Sequence, residues 1–140
     1  MEGDFITEIN TIDETVRMAG WGRRKAMKRE IDFFKGNYLQ EDEELLEVGA
    51  YSERPLEHLI YVTDRRVFVN KHEKLGMHSK LTEIPIVNIT SINLKSKVMT
   101  SDIEIVASNN EASIESVWSH VADIIKKKLD TLRYEQKPSD

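Results

Sequence analysis

No cysteine occurs anywhere in the 140 residues, which excludes disulfides, thiolate metal sites and cysteine nucleophiles and fits a reducing compartment. No long apolar run is present. The N-terminus reads Met1-Glu2-Gly3-Asp4, acidic where a secretory leader would be basic, so a cytoplasmic location is expected. Positive charge is not in excess either. Twenty Lys and Arg face 25 Asp and Glu, a net charge of -5, and no overall basic field exists to recruit nucleic acid. The short signatures of catalysis are missing too: there is no Gly-rich phosphate loop, GxSxG elbow or HExxH helix. These absences point away from an enzyme and call for no cofactor or metal. What is there, 39% hydrophobic and 32% charged residues, suits one ordinary globular domain with an appendage.

The chain changes character near Tyr38. Before it, apolar residues recur at helical spacing. Phe5, Ile9, Ile12, Val16 and Ala19 step by four and three along one stripe, and Met27, Ile31, Phe34 and Tyr38 form a second. Gly20 and Gly22 flank Trp21 and are expected to break or bend the helix there, while Gly36-Asn37 offers a stop. Residues 1–38 therefore read as a helical N-terminal arm.

From Leu45 the period becomes two. Leu46, Val48 and Ala50 alternate with Glu47, Gly49 and Tyr51 as a half-buried strand. Leu56–Val62 and Arg66–Asn70 are β-rich runs joined by a short polar turn, a hairpin signal. His72–His78 reads as a longer loop, Pro85 ends or edges a strand, and Ile86–Leu94 supplies the next one. Asp102–Ser108 and Glu111–Val117 form a hairpin across a two-residue Asn109-Asn110 turn. Last comes an amphipathic helix with Trp118, Val121, Ile125, Leu129 and Leu132 on one face and Ser116 or Ser119 as N-cap. Pattern alone thus gives a mainly β, α+β chain: an antiparallel barrel or sandwich with a terminal helix available as a plug.

Leu59-Ile60-Tyr61-Val62-Thr63-Asp64-Arg65-Arg66-Val67-Phe68-Val69 resembles the strand–TDxR–strand hairpin of the bacterial pleckstrin-homology (PH) domains, especially their YokE-like branch. Ile84-Pro85-Ile86-Val87-Asn88-Ile89-Thr90-Ser91-Ile92 is similar to that family's following signature, and the acidic lead-in Glu41–Glu44 matches as well. The resemblance implies a bent antiparallel barrel of about seven strands capped by the C-terminal helix. The expected organisation is an arm over 1–38, a PH-like domain over 39–135 and a polar tail over 136–140. The family has no shared catalytic residues to carry over.

Lipid recognition is the obvious analogy, yet the loop between the first two strands is Ser52-Glu53-Arg54-Pro55-Leu56-Glu57, with acids beside its one arginine. Such a loop repels a polyphosphate headgroup as much as it attracts one, so inositol phosphate is not an expected ligand. Thr63, Asp64 and Arg66 read as turn-fixing and surface-covering residues. His72 and His78 bracket Glu73 without a third ligand, and Asp102 and Glu104 read as the solvated side of a sheet.

Arg17, Arg23, Arg24, Lys25, Lys28, Arg29 and Lys35 gather positive charge around Trp21. A basic amphipathic helix with an aromatic suits an acidic protein or an anionic membrane. Packing of the stripe on the barrel or on another arm is preferred over the membrane, because a stripe of this width is ordinary for packing helices. The candidate interface residues are Phe5, Ile9, Ile12, Val16, Trp21, Arg23, Arg24 and Lys25. The expected function is a non-enzymatic protein-interaction or self-assembly module, with a homo-oligomer as the expected state. Peripheral membrane binding through the arm is the alternative.

Overall fold

The turn signals that punctuate the sequence divide the described residues into three helices and seven strands. A computed structural model describes residues 9–72 and 79–137. The order is α1 (Thr11–Met18), a 3-10 turn (Trp21–Arg23), α2 (Arg24–Tyr38), β1 (Leu45–Ala50), β2 (His58–Thr63), β3 (Arg66–His72), β4 (Ser79–Pro85), a 3-10 turn (Ile86–Asn88), β5 (Ile89–Ser96), β6 (Thr100–Ala107), β7 (Glu111–Trp118) and α3 (Ser119–Gln136). All strand pairings among the described residues are antiparallel. They make a four-stranded sheet, β1-β2-β3-β4, and a three-stranded sheet, β5-β6-β7, bridged at Tyr51–Val117. The sequence-based fold, seven antiparallel strands with a helix at each end, is the one observed.

Apolar residues on the inner faces of both sheets, among them Ile60, Val67, Ile103, Ile105 and Ile114, form one core that α3 closes with Val121, Ala122, Ile125, Leu129 and Leu132. The helix sits close to the backbone. A Cβ at Gly49 would lie 2.8 Å from Ile125 Cδ1 and 3.1 Å from Ile60 Cγ2. A second apolar cluster lies on the other side of the four-stranded sheet. There Ala19, Met27, Ile31 and Phe34 of the arm cover Leu45, Val48, Ala50, Leu59, Tyr61 and Phe68.

Because of this second layer, β1 is not the half-buried strand that its alternation predicts. A register shift between Leu45 and Glu47 lets Leu46 face the barrel core while Val48 and Ala50 face the arm, and Glu47 itself is buried. Other boundaries differ for local reasons. Pro85 ends β4, and Ile86–Asn88 turn a corner before β5, so Ile86–Leu94 is not a single strand. The β6–β7 connection holds three residues, Ser108, Asn109 and Asn110, closed by the Ala107 N–H donating to the Asn110 carbonyl at 2.8 Å. Trp118 is the last residue of β7, not a helical one, and is only partly buried at the core's rim. Val121 carries the plugging role. Neither Ser116 nor Ser119 caps α3. Ser116 sits in β7 at φ 49, with its N–H held by the Asp102 carboxylate at 2.9 Å. The helix also takes in Gln136, whose side-chain amide donates to the Asp64 carbonyl at 2.7 Å.

Candidate interaction surface

The arm approaches the barrel along the free edge of β1, an edge strand whose outward backbone groups need partners. Two threonines one helical turn apart supply them. Thr15 Oγ1 donates to the Val48 carbonyl at 2.9 Å, and Thr11 Oγ1 accepts from the Val48 N–H at 3.0 Å while donating to Glu47 Oε1 at 2.6 Å. The fully buried positions along α1 are therefore Thr11, Thr15 and Ala19, of which Ala19 alone belongs to the stripe read from apolar spacing. Ile12 and Val16 are partly buried at the edge of the arm cluster, and Ile9 is 44% exposed. Phe5 lies outside the described residues, as do residues 73–78, among them His78, on which the expected loop falls.

Gly20, at φ 99, allows the reversal between helices, and Trp21–Arg23 form the tight turn that starts α2. Met27, Ile31 and Phe34 then lie on the sheet. Phe34 stacks on Tyr61, centroids 3.8 Å apart and planes 2° apart, and meets Phe68 edge-on at 4.9 Å. Tyr38, read as a member of this stripe, remains 40% exposed and stacks against Phe34.

Charged contacts fasten the arm and the acidic lead-in. Arg66 spans Glu43 with a two-pronged ion pair, its Nε bonding Oε2 at 3.0 Å, and also donates to Glu83 at 2.9 Å and to the Tyr38 carbonyl at 3.0 Å. Its guanidinium lies 4.6 Å above the Phe68 ring. Burial works to raise the Glu43 pKa, but hydrogen bonds from Arg66, the Gln40 N–H and Thr63 prevail and hold it at about 2. Thr63 Oγ1 accepts from the Arg65 and Arg66 N–H groups, and Asp64 accepts from the Glu44 N–H at 2.9 Å. The TDxR residues thus fix a turn and a clasp. Glu14 on α1 is likewise held at about 2, first by Arg17 and then by His120 of α3, whose Nε2 lies 2.6 Å from it. His72 joins Glu30 of α2 at 3.1 Å. Each arm helix therefore has one histidine–carboxylate contact with the barrel.

These contacts assign most of the polar side chains that the sequence singles out to structural roles. Arg54 of the β1–β2 loop pairs with Glu57 at 3.6 Å. Asp102 pairs with Lys97 at 3.1 Å as well as bonding Ser116, and Glu104 accepts from Asn93. Among the described residues, no three His, Asp or Glu side chains converge as metal ligands.

The outward face of the arm has a different character. Trp21 is 90% exposed and Phe33 58%. Arg23, Arg24, Lys25, Lys28, Arg29 and Lys35 are all exposed, and among the described residues none makes an ion pair. Four of the predicted interface residues, Trp21, Arg23, Arg24 and Lys25, are exposed here, while Val16 lines a groove with Arg24 and Lys28, and Ile12 packs at the edge of the arm cluster. Phe33 was not among the expected interface residues. Its signal was being one position out of phase with the buried Met27–Ile31–Phe34 stripe, which turns it outward.

Solved structures of the same fold include a DUF1696 family protein with a pleckstrin-homology domain from Shewanella loihica PV-4. It is 14% identical, with a TM-score of 0.59 over 75% of this chain and 92% of that one. A pleckstrin homology domain from Shewanella amazonensis SB2B is 12% identical, with a TM-score of 0.55 over 75% of this chain and 96% of that one. No curated protein matches the chain. The model of the bacterial PH domain family matches residues 39–131, spanning the barrel and most of α3, and the chain belongs to that family.

Proposed function

We propose that the chain is a non-enzymatic protein-interaction module of the bacterial PH type that docks, and self-associates, through the outward face of its arm. The observation that carries this reading is the pairing of Trp21 and Phe33, both largely exposed, with six cations that make no ion pair among the described residues. Solvent-facing aromatics beside arginines are what interfaces concentrate at their energetic centres. The displaced carboxylate pKa values support a binding role over catalysis. Those of Glu14, Glu43 and Asp102 are each explained by a partner that fastens an element in place. The arm's apolar stripe serves the chain's own sheet, so association is expected through its charged outer face.

Light scattering coupled to size exclusion tests this. At about tens of micromolar, where weak association still registers, the full chain should exceed the monomer mass, and Trp21→Ala with Phe33→Ala should return it to monomer. A full chain that is monomeric throughout would defeat the self-association reading.

A further inference from the structure

Resting on the reading that the arm's outward face docks protein, we infer that its complement on a second copy is the acidic end just beyond α2, giving a head-to-tail contact. Lys25, Arg29 and Phe33 follow one another at four-residue steps along α2 and so lie on one ridge of its surface, with Lys28 beside it and Trp21 in the 3-10 turn that leads into the helix. From Lys25 to Phe33 that ridge extends about 12 Å at the helical rise. Residues 23–35 hold six cations against Glu30 and Asp32, a net +4 within a chain of -5, so the remainder carries -9.

Part of that negative charge is gathered where α2 ends. Glu41, Asp42 and Glu44 are exposed. Asp64 is drawn beside them by two hydrogen bonds, the Glu44 N–H to its carboxylate at 2.9 Å and its own N–H to the Glu44 carbonyl at 3.1 Å, and the exposed Arg65, 3.9 Å from the Asp64 carboxylate, offsets one of these charges. Glu43, by contrast, is turned inward and neutralised by Arg66. One molecule therefore presents a basic aromatic face along α2 and an acidic end past its C-terminus. Two different surfaces that complement each other make a heterologous contact, which propagates unless its rotation closes a ring.

A bilayer suits this surface less well. An interfacial helix buries an apolar face among lipids, and that face of α2, Met27, Ile31 and Phe34, already lies on the sheet at 3% exposure or less. An anionic surface would also repel the -9 borne by the rest of the molecule.

Charge reversal tests the inference in the full chain. Lys25→Glu with Arg29→Glu alters the basic face, and Glu41→Lys with Glu44→Lys alters the acidic end. All four side chains are exposed, so unchanged circular dichroism and melting temperature should accompany both variants. At low ionic strength each variant alone should be monomeric by light scattering. An equimolar mixture should recover association, since the basic face of one variant meets the acidic end of the other and the two reversed surfaces are themselves opposite in charge. Added salt should reverse it, because exposed charges are screened within about 8 Å at physiological ionic strength. A mixture that stays monomeric, while the unaltered chain associates and Lys25→Glu/Arg29→Glu does not, would overturn the head-to-tail contact and leave the arm face as a docking site. Association of the unaltered chain that survives Lys25→Glu/Arg29→Glu would overturn both. Salt-sensitive binding to phosphatidylglycerol vesicles, lost in Lys25→Glu/Arg29→Glu and without self-association, would replace the second copy with a membrane.

Discussion

Two adjacent phenylalanines on α2 should respond oppositely to the same substitution. Phe34 is 1% exposed, stacked face to face on Tyr61 and edge to face on Phe68, whereas Phe33 is 58% exposed. Truncating a buried phenylalanine removes its transfer free energy and leaves a cavity, about 3–5 kcal/mol in well-packed cores. The two aromatic contacts add about 0.5–1.5 kcal/mol each beyond buried area. Phe34→Ala should therefore cost at least about 3 kcal/mol, and Phe33→Ala should stay within about 0.5 kcal/mol of the unaltered chain. Urea unfolding followed by far-ultraviolet circular dichroism measures both. Proteolysis at Gly20–Gly22 adds a control, because an arm that detaches first would be cut before the barrel melts. Should Phe34→Ala cost less than about 1 kcal/mol, the arm would be a loosely held appendage and not the second layer of the sheet.

Stability should fall with acid through the Glu43 clasp. A carboxylate held at about 2 when folded, against 4.5 for an ordinary glutamate, adds stability above pH 4.5 that is lost as pH drops from 4.5 toward 2. Glu43→Gln should flatten that limb of the pH–melting profile, and an unchanged limb would contradict the assignment. Arg66→Met, which leaves Glu43 buried without its partner, should cost about 3–5 kcal/mol at neutral pH by denaturant unfolding. Gly49→Ala should cost about 1–3 kcal/mol in the same assay through its clash with Ile125 and Ile60. A neutral result would show that α3 sits farther from β1. Tyr61→Phe should be close to neutral in melting temperature, since its buried hydroxyl has no hydrogen-bond partner among the described residues. A loss above about 1 kcal/mol would reveal a bound water there.

The elements that could be read from the sequence were those whose burial is apolar and local in pattern. Met27, Ile31 and Phe34 mark α2, Gly20 marks the break before it, and the TDxR turn and the β6–β7 hairpin follow from strand period and turn residues. What escaped depended on partners distant in sequence. Thr11 and Thr15 are buried because they serve the edge of β1, 33–37 residues away, and hydropathy periodicity assigns polar residues to solvent. The outer face of the four-stranded sheet is apolar because the arm covers it, so β1 is buried on both sides. Trp118 fits a helical stripe in sequence but pairs with Thr100 as the end of β7. At the candidate interaction surface, the basic cluster and Trp21 were legible as charge and an aromatic. Phe33 became visible only when the buried side of α2 was known.

A dilution series followed by backbone amide chemical shifts tests the central claim, that the arm's outward face is where the molecule binds. Concentration-dependent shifts should centre on Trp21–Phe33 and on Glu41–Glu44 of the acidic end. Shifts confined to the edge strands β4 and β5, or to the exposed Val98–Met99 tip between β5 and β6, would place association elsewhere and contradict the account.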